Sequence, residues 1–188
     1  MNNYPKSAYV HIPFCHRRCF YCDFAIIPLG NKVETLQGYG SKTVKEYLYF
    51  LYKEILSIKH KSPLSTIYVG GGTPSILDPK QIKELIDLFK ENYGIDYGAE
   101  ITMEVDPASF NQDDLYGFIN AGINRFSLGV QSFNNQILQK SGRRHFREDA
   151  EKSCLWLKRE YDSGLIKSWS LDLIQNLPLS GFKEWQDD

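Results

Sequence analysis

Five short runs in this chain alternate apolar and polar residues, and helical patterns separate them. The first run is Ala8-Tyr9-Val10-His11-Ile12. A long loop rich in Gly and polar residues follows, after which Val44, Leu48, Leu51, Ile55 and Ile58 recur at helical spacing and predict a helix ending near His60, before Pro63. Thr66 to Val69 reads as a second strand, running into Gly70-Gly71-Gly72-Thr73-Pro74. Asp78 followed by Pro79 is an N-cap with proline at the first helical position, and Ile82, Leu85, Ile86 and Phe89 give that helix its buried stripe.

The pattern then repeats. Glu100 to Val105 alternates until Asp106-Pro107 breaks it, and a helix from about Asn111 to Ala121 stops at Gly122. Asn124 to Gln131 alternates again, short helical pieces start at Asn134 and run from about Phe146 to Tyr161, and Lys167 to Ile174 forms a fifth strand. Strands alternating with helices predict βα units and a largely parallel sheet.

Such a sheet binds ligands at the carboxyl ends of its strands, whether it closes into a barrel or stays open. The polar residues collect at those ends. Cys15, Cys19 and Cys22 follow the first strand, the glycine run follows the second, Glu104 and Asp106 end the third, Gln131 ends the fourth, and Asp172 lies near the end of the fifth.

Composition narrows the picture. At 188 residues and 42% hydrophobic, the chain is expected to bury one core as one domain. A net charge of -1 removes the electrostatic argument for nucleic acid, and no apolar stretch reaches the roughly 18 residues that span a bilayer. Met1 to Lys6 is too short and too poor in Arg and Ser for a transit peptide, so a cytoplasmic location is expected.

The triplet Cys15-x3-Cys19-x2-Cys22 admits three readings. A disulfide framework fits poorly with an odd number of cysteines and no secretory signal. A zinc ion on the three thiolates plus His11 or His16 is chemically sound, although zinc knuckles usually pair two Cys hairpins. An iron-sulfur cubane normally takes four thiolates, so three leave one iron open to a small ligand, and an open position is where chemistry occurs. Cys154, with Ala150 and Leu157 on the same helical face, reads as a buried small hydrophobe.

The other candidates have plainer readings beside them. Gly70-Gly71-Gly72-Thr73 lets backbone approach a ligand, or simply turns the chain, and it lacks the phosphate-loop spacing. Glu104 and Asp106 are candidate acid and base, with ligand binding by Glu104 favoured and loop capping as the rival. An acid among apolar neighbours, as Asp172 is, requires a cationic or hydroxyl partner. Arg143 and Arg144 form a fork suited to carboxylate, or a solvated turn. His11 and His145 receive no catalytic role.

Together, Tyr9-Val10-His11-Ile12-Pro13-Phe14-Cys15-x3-Cys19-x-Tyr21-Cys22, Gly70-Gly71-Gly72-Thr73-Pro74-Ser75, Glu104-Val105-Asp106-Pro107, Gly129-Val130-Gln131-Ser132-Phe133 and Asp172-Leu173-Ile174 resemble the radical S-adenosylmethionine proteins of the oxygen-independent coproporphyrinogen III oxidase group. Tyr21-Cys22-Asp23-Phe24 and Gly142-Arg143-x-His145 look more like the heme chaperone branch, because the oxidase pattern carries a further Cys where Phe24 stands.

The resemblance implies a [4Fe-4S] cluster on Cys15, Cys19 and Cys22, with S-adenosylmethionine on the free iron and reductive cleavage to a 5'-deoxyadenosyl radical. By matching position, Tyr9, Gly71 and Glu104 contact that molecule. Tyr21, Gly72, Thr73, Gln131, Arg143 and Asp172 match positions that hold a second one in the oxidase. Heme or a porphyrinogen is the further small-molecule ligand implied, with an electron-donor protein and a heme-accepting protein as partners. No residue is assigned as catalytic.

The implied architecture is an incomplete parallel (β/α) barrel with five of six expected strands and no C-terminal domain. Residues 1–188 are thus expected to form a radical S-adenosylmethionine core truncated at its C-terminal end, with the edge of the fifth strand unpaired. Gln175-Asn176 replaces the Tyr-Gly usual in the group.

Overall fold

The computed structural model describes residues 4–30, 39–58 and 62–188, with the side chains of residues 39–41 excepted. The predicted helix end near His60 lies outside the described residues. Five strands form one open parallel sheet in chain order: β1 (Ser7–Ile12), β4 (Leu64–Gly71), β5 (Ile95–Val105), β6 (Arg125–Gln131) and β7 (Ser168–Leu173). β1 and β7 are its edges. Between β1 and β4, the chain also forms a small parallel pair, β2 (Phe14–Cys15) with β3 (Ile27–Pro28), which the pattern of apolar residues did not announce.

Helices α1 (Tyr39–Ser57), α2 (Pro79–Asn92), α3 (Gln112–Asn120), α4 (Asn135–Lys140) and α5 (Arg147–Asp162) connect the strands, and α6 (Phe182–Asp187) follows the last one. The start of α2 is capped as its residues dictate. The Asp78 carboxylate accepts from Lys80 N–H at 2.8 Å, the Gln81 side chain accepts from Asp78 N–H at 3.0 Å, and Pro79 needs no partner.

Alternation sorts the sheet into two faces. Val10, Ile12, Ile67, Val69, Ile101, Met103, Val105, Phe126, Leu128 and Val130 point one way and form one core with Leu48, Ile82, Leu85, Phe89, Leu115, Phe118 and Leu157 from the helices. The intervening residues are polar or aromatic, and pairing aligns them in rows: Tyr9 beside Tyr68, Tyr68 beside Thr102, Glu104 beside Ser127, and Ser127 beside Ser170. A parallel sheet buried on both sides would be apolar on both. Here the second face is built for polar contacts.

The predicted strands thus form, with β1, β4 and β5 longer than expected and β6 and β7 slightly shorter. β5 extends back to Ile95, pairing Leu64 with Ile95 across a register shift. Cys154, expected to be buried, is half-buried at the margin of the core. Among the described residues, no helix is long and apolar enough to cross a membrane.

Candidate metal centre and its cavity

All three clustered cysteines line one cavity of about 330 Å³ at the carboxyl ends of the strands. They are free thiols, as is Cys154. Tyr21, Gly71, Gly72, Thr73, Glu104, Gln131, Arg143 and Asp172 line the same cavity, so eleven of the twelve residues that the resemblance assigns to a cluster or to S-adenosylmethionine meet there. Tyr9 does not. Its side chain is largely exposed, stacks on Tyr68 with centroids 6.0 Å apart, and lines a separate hollow of about 560 Å³ against α1 and the β1 edge.

The cysteine loop is held in shape by its own arginines and by distant backbone. Arg18 donates to the carbonyls of Cys22 and Phe24, both at 3.0 Å, and more weakly to Ile26 at 3.4 Å. Arg17 donates to the Arg143 carbonyl, and Phe20 N–H donates to the Ser141 carbonyl at 3.0 Å. The backbone turns at Gly142, where φ is +79° and a Cβ would stand 3.3 Å from Phe20 N and 3.4 Å from the Cys19 Cα. Glycine is therefore suited to this position on two counts.

Gly72 makes the tightest approach of the glycines lining the cavity. A Cβ there would lie 2.6 Å from the Phe14 carbonyl oxygen and 2.9 Å from Cys15 Sγ. The buried Cys15 sulfur also accepts from the Thr73 hydroxyl at 3.3 Å. Burial pushes the Cys15 thiol pKa up, partly countered by that hydrogen bond.

Glu104 sits on the polar face with both oxygens engaged, accepting from the Tyr68 hydroxyl at 2.8 Å and from Gly71 N–H at 3.0 Å. Burial, reinforced by this carboxylate, holds the Tyr68 pKa well above that of an ordinary phenol. Asp106 is not its partner. β5 ends at Val105, and Asp106, which lines the same cavity, accepts from Ala108 N–H at 3.1 Å and from Arg143.

Arg143 is largely enclosed, its side chain 10% exposed. Nη2 shares its two hydrogens among Asp106, the Gly129 carbonyl at 2.6 Å and, more weakly, His145 Nδ1 at 3.2 Å; Nη1 points at Cys19 Sγ, 3.7 Å away; Nε has no hydrogen-bond partner. Burial works against the charge, but Asp106, Tyr21 and Cys19 outweigh it and keep the guanidinium firmly protonated. His145 completes the cluster by donating from Nε2 to the Val130 carbonyl at 3.0 Å, which leaves Nδ1 as acceptor. Burial lowers its pKa.

At the other side of the cavity, the Ser127 hydroxyl bridges both oxygens of Asp172 at 3.0 and 3.1 Å, the hydroxyl partner expected for that acid. Ser127 was missed from the sequence, although it lies two residues before Gly129 on the same strand face. Gln131 ends β6 at φ +70°, a conformation costly for a residue with a Cβ, where Ile174 N–H donates to its carbonyl at 3.0 Å.

The donor set suits a cluster better than a single ion. Among the described residues, no three His, Cys, Asp or Glu side chains converge on one point as a single metal requires, whereas three thiolates around a cavity can each take a different iron. The three thiols around the open cavity and the buried Arg143 Nε without a hydrogen-bond partner are the features that fit a bulky inorganic group and an anionic ligand.

Comparison with known proteins agrees with this geometry. The Radical SAM superfamily model matches residues 9–168. The chain is 42% identical over 182 residues to the heme chaperone HemW of Synechocystis sp., covering 96% of this chain and 42% of that protein. It is 37% identical over 180 residues to the oxygen-independent coproporphyrinogen III oxidase of Salmonella typhimurium, covering 93% of this chain and 36% of that protein. The solved structure of Escherichia coli coproporphyrinogen III oxidase HemN superimposes with a TM-score of 0.80 at 31% identity, over 96% of this chain and 39% of that one. The chain therefore spans less than half the length of these relatives.

Proposed function

Because this chain belongs to the radical SAM superfamily, we propose that residues 1–188 form a core domain binding a [4Fe-4S] cluster on Cys15, Cys19 and Cys22 and S-adenosylmethionine beside it. We further propose that it serves tetrapyrrole metabolism in the cytoplasm by binding and transferring heme. The observation that carries the reading is the meeting of three free thiols with Gly71, Gly72, Glu104, Arg143 and Asp172 around one cavity at the strand ends.

When bound and reduced, the cluster supplies the electron that cleaves the sulfonium. The chain's own residues position and shield. Gly71 and Gly72 let the ligand approach backbone, Glu104 offers carboxylate oxygens to an amine or a ribose hydroxyl, and the Arg143 Nε edge donates to an anion. Tyr9 assists from outside the cavity, through its stack on Tyr68. Tyr21, Thr73, Gln131 and Asp172 line the room left for a second ligand.

The chaperone relative's 42% identity and Phe24, where the oxidase pattern has Cys, favour heme transfer to an acceptor protein. The likeness to the oxidase structure supports a second reading, decarboxylation of coproporphyrinogen, with an electron-donor protein serving either activity.

Anaerobic reconstitution tests the core claim. Fewer than about three irons per chain, or equal iron uptake by Cys19→Ala, would overturn it. Hemin titration and incubation with coproporphyrinogen, reductant and S-adenosylmethionine then separate the two activities, since a chaperone binds hemin and forms no protoporphyrinogen.

A further inference from the structure

Arg143 reaches Cys19 from inside a closed set of partners. Its Nη2 end is occupied by the Asp106 carboxylate, the Gly129 carbonyl and His145 Nδ1, and this fixes the planar guanidinium so that Nη1 faces Cys19 Sγ at 3.7 Å. The arginine is 10% exposed and the aspartate 22%, so water screens neither charge well. His145 is itself held by the Val130 carbonyl, giving the arrangement a rigid back.

A hydrogen bond and a positive charge at a cluster thiolate stabilise the state with the extra electron, and hydrogen bonds to sulfur are one of the protein's levers on iron-sulfur potentials. An anion at the same distance range does the opposite. From this geometry we infer that Arg143 and Asp106 form a charge couple setting the reduction potential of the cluster through Cys19, with Arg143 raising it and Asp106 moderating that rise. The inference rests on the reading that Cys19 ligates a cluster. It assigns Arg143 a task separate from any ligand contact made by its Nε edge.

The two partners must act with opposite sign, which a merely structural pair would not do. The test is an anaerobic potentiometric titration of the reconstituted full chain with dithionite and mediators, without S-adenosylmethionine, following the reduced cluster by EPR. Arg143→Gln is expected to lower the midpoint and Asp106→Asn to raise it. Each should change the reduced-to-oxidised ratio at fixed potential about tenfold, or about 59 mV for one electron. Arg143→Lys, which keeps the charge but loses the fork, should lie between wild type and Arg143→Gln.

Midpoints that stay put, or that move the same way in Arg143→Gln and Asp106→Asn, would overturn the inference while leaving the cluster reading intact. So would loss of the cluster from Arg143→Lys, which would make the arginine a pin for the loop. A wild-type chain that takes up no cluster refutes the superfamily chemistry itself, and the inference with it.

Discussion

Gly72 and Cys15 are in such close contact that the glycine's missing Cβ would stand 2.9 Å from the cysteine sulfur and 2.6 Å from the carbonyl oxygen of Phe14. One of the two obstacles is backbone and cannot rotate away. Gly72→Ala should therefore push β2 and Cys15 out of place, destabilising the fold by about 1–3 kcal/mol, the usual cost of overpacking. Iron and sulfide per chain after reconstitution should fall well below wild type. Full cluster content in this variant would mean that the strand end yields more than the contact allows.

Arg18 makes a different kind of support, a surface staple across three carbonyls of the cysteine loop. It is exposed, so Arg18→Ala should leave the melting temperature of the cluster-free chain within a few degrees of wild type. The same change should speed the loss of visible cluster absorption in air several-fold. Equal decay rates would show that the loop keeps its shape without the staple.

Glu104 accepts one donor on each oxygen before any ligand arrives, and each oxygen keeps a lone pair for the ligand. Replacing it by Gln leaves one acceptor oxygen and turns an NH2 group toward a donor, costing about 1–3 kcal/mol at a poorly hydrated site. Titration calorimetry on the loaded chain should show S-adenosylmethionine binding at least tenfold more weakly. Unchanged affinity would remove Glu104 from the ligand's contacts.

His145 couples the site to pH. Burial lowers its pKa, so the folded chain resists the proton that an unfolded chain accepts near pH 6.5. Since the unfolded state then binds more protons, the stability from neutral His145 is complete above about pH 6.5 and declines as pH falls toward the lower folded value. His145→Gln should flatten the fall in melting temperature below about pH 6.5 in the cluster-free chain. An identical slope would place the pH dependence elsewhere.

The strand positions and the location of the site were legible because both depend on local chemistry. Alternation marks each strand, and residues such as Asp106-Pro107 and the glycine run after Val69 mark its carboxyl end. Pairings across the cavity were less legible, since they depend on where each strand stops. Glu104 and Asp106 look like one face of a strand until β5 is seen to end at Val105. Arg143 reads as an open fork for a carboxylate until three internal acceptors are found at Nη2. Tyr9 matches a ligand-binding motif in sequence, yet its strand is an edge and its ring lies over Tyr68 beside another hollow.

The bond from Phe20 N–H to the Ser141 carbonyl joins residues that leave the ribosome far apart in time. At about 5–20 residues per second, the thiols emerge roughly 6 to 24 seconds before the loop that clasps them has been made. During that interval they are bare and their final cradle does not exist. On the proposed cluster reading, insertion into the finished cradle would have to follow synthesis of at least the first 141 residues, and oxidants have their best opportunity before that point.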